Sequence, residues 1–257
     1  MQFEEVKSIS DAAVSKLELL EKEPKKYFLR GIMAGVFVVM AMILNNVAGN
    51  MFFESNPSLG KLIGAIYFSV AVLLIVMIGG ELFTGNNFVM AIGYYQKSLS
   101  LKSLLKVWGC SYLANFVGSI GFAWIFILSG ASSTGVYFET CIKNKVFIPY
   151  PELFFKAILC NFFVCVGILC GIKLKTEIGK ILMIIFCISG FTISGFEHSI
   201  ANMSTYTVGW YFVRDLPLLR MLINLLIVSL GNAIGGAVLL AWPIYHMASK
   251  KEENITK

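Results

Sequence analysis

Six apolar stretches divide this chain, at roughly Gly31–Phe53, Leu62–Gly80, Val107–Ala131, Ala157–Ile172, Ile181–Gly195 and Met221–Ala248. A helix crossing a hydrocarbon core needs about 20 mostly apolar residues, within a range near 17–25. The first, third and sixth stretches qualify outright. The second, fourth and fifth reach that length only by continuing through their polar ends. Composition agrees, with 57% of residues hydrophobic and 14% charged, where ordinary globular chains run near ~45–50% and ~25%. A water-soluble fold of 257 residues cannot bury that much apolar surface. The pattern predicts an all-α polytopic membrane protein with six transmembrane helices. The first run is also too long, and begins too late, for the h-region of a cleaved signal.

Charge sets the orientation. Fifteen Lys and Arg lie before the first stretch, between the second and third, between the fourth and fifth, and after the sixth; six lie on the other side. The positive-inside rule then places both termini in the cytoplasm. The resulting organisation is a cytoplasmic N-terminal amphipathic helix within residues 1–26, a six-helix membrane domain at 27–249 and a cytoplasmic tail at 250–257. Ser8–Glu23 reads as a surface helix, with Ser10 as its cap and Ile9, Ala13, Leu17 and Leu20 near one face. It either lies solvated against the membrane or a neighbouring subunit, or it gates.

Several function classes are excluded. The net charge of +6 is spread thinly, and Arg30, Arg214 and Arg220 are the three arginines, so no nucleic-acid surface is present. His198 and His246 are too few for a histidine-cluster metal site. Cys160, Cys165 and Cys170 are five residues apart, which rotates each by about 140° on a helix and keeps them off a common face. No C-x-x-C pair, phosphate loop or nucleophile–base arrangement occurs. The sequence therefore predicts no enzyme, no cofactor and no metal site.

The halves repeat, at about 27–131 and 152–249. Glu81-x4-Asn86 matches Glu197-x4-Asn202 at an offset of 116, and Asn115-x-x-Gly118 matches Asn232-x-x-Gly235 at 117. Ile43-Leu44-x-Asn46 matches Ile158-Leu159-x-Asn161 at 115. A repeat of three spans is odd-numbered, so the halves sit upside down relative to each other. Inverted repeats place the substrate path near the bilayer midplane, where they meet. The second and fifth spans fail in the same way: each meets glycine and glutamate (Gly79-Gly80-Glu81 and Gly195-Phe196-Glu197) before a second short segment, near Asn86–Tyr95 and His198–Thr207. Unpaired backbone at such a break is tolerated only against protein or a cavity. The following half-helix points the positive end of its dipole at that cavity, which suits an anion.

Glu81 and Glu197 would each cost about 2.5–3.5 kcal/mol if ionised at the centre of a span. They need partners among freed N–H groups, asparagine amides or water, and act either as proton carriers or as acceptors holding the broken backbone. His198, beside the second break, is placed for a pore role, and its charge could change between pH 5 and 8. Thr84 offers a hydroxyl inside the first break. Lys145 and Lys156 flank the fourth span; one could attract an anion, while Lys156 could instead snorkel beside Phe154 and Phe155.

The segments GELFTGN at Gly80–Asn86, SGFEHSIAN at Ser194–Asn202, ILCN at Ile158–Asn161 and GNAIGG at Gly231–Gly236 closely resemble the formate/nitrite transporter family, with the hydrosulfide channel branch the nearest in appearance. The resemblance implies an aquaporin-like six-helix protomer, a homopentamer with one pore per protomer, a bacterial inner-membrane location among lipid, and small monovalent anions or weak acids as substrates. It makes His198 the central pore histidine, Thr84 its loop partner and Lys145 the outer lysine. Leu82 would narrow the cytoplasmic side, with Phe68 and Phe191 as the outer constriction. Asn161 and Glu197 would complete the polar network. The break residues are Gly80, Glu81, Asn86, Gly195 and Asn202. Hydrosulfide, formate or nitrite would shed water at two apolar rings and find part of it replaced by His198 and Thr84, with His198 able to lend a proton. The alternatives are a neutral-solute pore of the water or glycerol type and a proton-coupled carrier.

Overall fold

The computed structural model describes residues 3–130 and 135–248, with side chains given throughout except at 135–137. The predicted tail at 250–257 and the repeat boundaries at 131 and 249 lie outside the described residues. Among the described residues the chain is helical, with no strand. The order is α1 (Phe3–Lys22), α2 (Pro24–Met51), α3 (Pro57–Phe68), α4 (Val70–Ile78), α5 (Phe83–Tyr95), α6 (Leu101–Leu128), α7 (Gly135–Val146), α8 (Tyr150–Lys173), α9 (Glu177–Ile193), α10 (Ser199–Phe212), α11 (Leu218–Ile234), a π-helical segment (Gly235–Ala241) and α12 (Trp242–Met247).

Five of the spans are long and apolar enough to cross a membrane: α2, α3 with α4, α6, α8, and α11 through α12. The sixth, α9, has 17 residues, at the lower end of the crossing range. The stretches that looked short do continue through their polar ends. Pro57 supplies the first turn of α3, and the Asn56 side chain accepts the Leu59 N–H at 3.1 Å, satisfying one orphan donor of a new helix. Thr176 caps α9 in the same way through the Gly179 N–H.

Both breaks form by one mechanism. At the end of α4 the Ile75 carbonyl accepts the N–H groups of Gly79 and Gly80, at 3.0 and 2.9 Å, and Gly79 takes φ +92°. At the end of α9 the Phe191 carbonyl accepts the Phe196 N–H at 3.1 Å, and Gly195 takes φ +72°. These are left-handed C-terminal turns, which glycine enters without penalty. At the first break Gly79 makes the left-handed turn, and Gly80 follows it directly. Gly80 packs on α2, where an added Cβ would meet that of Ala34 at 3.2 Å.

An asparagine then staples each break to its neighbours. Asn115 of α6 donates to the carbonyls of Gly31 and Glu81, both at 2.8 Å, and accepts the Phe83 N–H at 2.8 Å. Asn232 of α11 donates to the carbonyls of Ala157 and Glu197, at 2.8 and 3.0 Å, and accepts the Ser199 N–H at 2.9 Å. The same bonds in both halves establish the repeat in space. They also correct one of its sequence matches. Gly31 corresponds to Ala157 through these bonds, so α2 maps onto α8 at an offset of 126. The Ile-Leu-x-Asn match at 115 is coincidental. Asn46 bonds back to the Met42 carbonyl of its own helix, whereas Asn161 is buried between elements.

The N-terminal helix begins at Phe3, so Ser10 is no cap. It lies mid-helix, its hydroxyl donating to that of Ser98 at 2.7 Å. Val6, Ile9, Ala13 and Leu20 are buried in one cluster with Phe88, Val89 and Ile92 of α5, and Leu17 packs at its margin. Ion pairs Glu21–Lys106 (3.0 Å) and Glu5–Lys173 (3.1 Å) hold the helix at both ends. The helix is thus docked on its own chain, an arrangement that the sequence alternatives did not include.

Two further glycines permit the closest helix approaches. A Cβ at Gly118 would collide with the Ile32 carbonyl, and one at Gly235 with the Ile158 carbonyl, positions related by the repeat. Gly118→Ala and Gly235→Ala are each expected to cost about 1–3 kcal/mol. The thermal midpoint of the detergent-purified protein checks this. Gly167→Ala, where the nearest atom would lie at 3.5 Å, should leave the midpoint nearly unchanged.

Candidate functional site

Two vestibules approach the centre from opposite ends. The one on the α7 side has a volume near 510 Å³ and reaches Phe68, Phe191 and His198. The one on the α1 side, near 290 Å³, reaches Ile75, Gly79, Glu81 and Leu82. Phe68 and Phe191 meet edge to face, centroids 6.0 Å apart at 88°. Behind them the His198 ring lies parallel to Phe191 at 6.1 Å. On the other side Leu82 is buried.

Between the vestibules stand the starts of α5 and α10. Leu82 and His198 precede them at equivalent positions with matching extended backbone, φ/ψ −96/127° and −111/120°. The His198 Nδ1 accepts the Ala201 N–H at 3.2 Å, capping α10. Nδ1 therefore carries no proton in this arrangement, and the neutral ring carries it on Nε2. Nε2 lies 3.0 Å from the Thr84 hydroxyl. Both side chains are buried, Thr84 completely. Asn161 braces this contact from behind, donating to the Thr84 carbonyl (3.2 Å), the Asn87 side chain (3.1 Å) and the Asn232 carbonyl (2.6 Å).

Each glutamate is held by an asparagine and a lysine. Glu197 accepts from Asn202 at 2.8 Å and from Lys145 through both oxygens at 2.7 Å. Glu81 accepts from Asn86 at 3.1 Å and from Lys16 through both oxygens, at 2.8 and 2.7 Å. The carboxylates are 3% exposed, so these bonds replace the water they have lost. The structure thus brings His198 to Thr84 and Lys145 to Glu197, and sets Phe68 against Phe191. Lys156 pairs instead with Glu152 at 2.7 Å.

Sequence reasoning missed Lys16, which it counted only as a topology charge. The signal was present: Ile9, Ala13, Lys16 and Leu20 share one helical stripe, and a cation within a buried stripe calls for a buried anion. It also noted Asn115 and Asn232 only as repeat markers. Their position one helix away from each break was invisible in one dimension.

Two mirrored half-helices meeting at a buried polar pair, with a vestibule on each side, define a membrane channel or transporter rather than an enzyme. The model of the family described as formate/nitrite transporter matches residues 3–246. The uncharacterized transporter YwcJ of Bacillus subtilis (strain 168) is 31% identical over 255 residues, covering 95% of this chain and 98% of its own. The nitrite transporter NirC of Escherichia coli (strain K12) is 32% identical, covering 90% of this chain and 87% of its own. Among solved structures, an FNT family ion channel superposes with TM-score 0.90 at 28% identity, covering 96% of this chain and 99% of that one. A pentameric formate channel with formate bound superposes with TM-score 0.78 at 26% identity, covering 88% and 99%. The chain belongs to the formate/nitrite transporter family.

Removing one partner of a buried ion pair costs about 3–5 kcal/mol, because the other charge is left uncompensated. Glu81→Gln and Lys16→Met are each expected to lower the thermal midpoint, and the double variant to recover much of the loss. The same cycle at Glu197 and Lys145 should give a similar result on the other side.

Proposed function

We propose that this protein is a channel for small monovalent anions such as hydrosulfide, formate and nitrite. It works as a homopentamer in the bacterial inner membrane, with one pathway through each protomer. The α1 side is cytoplasmic, as the lysine and arginine bias requires. The observation that carries this reading is the Thr84–His198 contact of 3.0 Å, buried between an aromatic ring on one side and Leu82 on the other. A bare ion crossing apolar side chains loses hydration and is strongly disfavoured unless hydrogen bonds replace it. In this arrangement Nε2–H donates to the Thr84 oxygen, the Thr84 O–H is left as the donor to an ion at the centre, and the N-terminal ends of α5 and α10 add their dipoles. Phe68 and Phe191 admit a small ion singly on the outer side, and Leu82 does so on the inner side. A related solved structure that contains formate, and relatives named for nitrite and formate, support this size and charge class.

The chemistry assigned to His198 is donation from a neutral ring, since protonating Nδ1 would turn a donor against the Ala201 N–H. Proteoliposome flux of formate, nitrite, hydrosulfide, chloride and water is expected to favour the small weak-acid anions. His198→Asn keeps a donor but cannot titrate, and should retain the wild-type pH profile from pH 5 to 9. A flattened profile would instead assign His198 a proton-lending role. Thr84→Val removes one donor and should lower flux about 10-fold or more, since a hydrogen bond to a charged group contributes about 1.5–3 kcal/mol and about 1.4 kcal/mol is a factor of ten. Preference for water or glycerol over every anion would overturn the anion reading.

A further inference from the structure

We propose that Arg30 and Lys61, rather than the lysines paired with glutamate, are the residues that capture anions at the two mouths. Lys145 lines the α7-side vestibule, but both Glu197 oxygens sit 2.7 Å from its Nζ. Lys16 lines the α1-side vestibule and is held the same way by Glu81. A closed pair has no net charge, and its dipolar field decays faster with distance than that of a single ion. Lys156 is likewise paired, with Glu152. Lys61 and Arg30 are different. Each lines a vestibule, each is exposed, and among the described residues neither has a carboxylate partner. Among the charged residues that line each vestibule and their ion-pair partners, one positive charge in excess therefore remains, carried by Lys61 in one and Arg30 in the other.

Their placement suits the role. Lys61 and Phe68 are seven residues apart on α3, which sets them on one helical face two turns apart, about 10 Å along the axis. Lys61 thus stands at the mouth above the aromatic ring. Arg30 is fixed at the other mouth by its own backbone, whose carbonyl accepts the Glu81 N–H at 3.2 Å. In a cleft with low-dielectric walls one uncompensated charge concentrates counter-ions locally. Salt screens that effect over a Debye length of about 8 Å at physiological ionic strength.

This inference rests on the anion-channel reading, and the experiment separates the two. Initial formate and nitrite fluxes are measured against concentration, at low and high ionic strength, in right-side-out and inside-out vesicles. Absence of anion flux in the wild type would defeat the channel reading itself. Given wild-type flux, Lys61→Gln is expected to raise the half-saturating concentration on the α7 face roughly 3- to 10-fold at low salt. Arg30→Gln should do the same on the α1 face. Both should flatten the salt dependence, Lys61→Arg should restore it, and Lys61→Glu should deepen the defect. Both residues are exposed, so the substitutions spare the buried packing. Unchanged half-saturation and unchanged salt dependence in both variants would overturn the proposal.

Discussion

The structure depends on satisfying a broken backbone inside a membrane. A helix that stops mid-bilayer leaves carbonyls and N–H groups without water to bond. Here Asn115 and Asn232 each take up two carbonyls and one N–H across the break. An asparagine amide can do this because it carries two donors and an acceptor in one plane. With the backbone satisfied, α5 and α10 can begin at depth and aim their ends at each other.

The glutamates complete that frame. Each follows its glycine turn, accepts an amide from the asparagine five residues on, and is closed by a lysine from a separate short helix, α1 or α7. The lysines therefore tie peripheral helices to the central breaks. Two buried carboxylates stay compatible with an anion path because each is matched within hydrogen-bond distance by a cation. The packing of α1 on α5 and its ion pair to Glu81 are parts of one arrangement.

Much of this was legible in the sequence. A glycine and a glutamate ending an apolar run, twice and at nearly constant offset, had few physical explanations, and the two breaks fell where they predicted. The Asn115 and Asn232 match held for the same reason. The α2–α8 correspondence failed because the halves differ in length before the break. Gly31 and Gly79 are 48 residues apart, whereas Ala157 and Gly195 are 38 apart. A longer α2, a longer connection and a longer α3–α4 pair absorb the difference. No constant offset could bridge that. Lys16 was hidden because its partner lies 65 residues away, and which of the adjacent Gly79 and Gly80 takes the left-handed turn was not legible because the two look alike in sequence.

The two asparagine staples and the two ion pairs leave out one pair of equivalent positions. Leu82 and His198 occupy matching sites in matching backbone, yet one is an aliphatic group and the other an imidazole. Neither asparagine staple and neither lysine–glutamate pair uses these two side chains. The two halves present two sockets of matching backbone, and only one holds a polar occupant. Such a scaffold can acquire a different preference for its cargo by exchanging residues at its centre, while the asparagine staples and the lysine–glutamate pairs stay untouched.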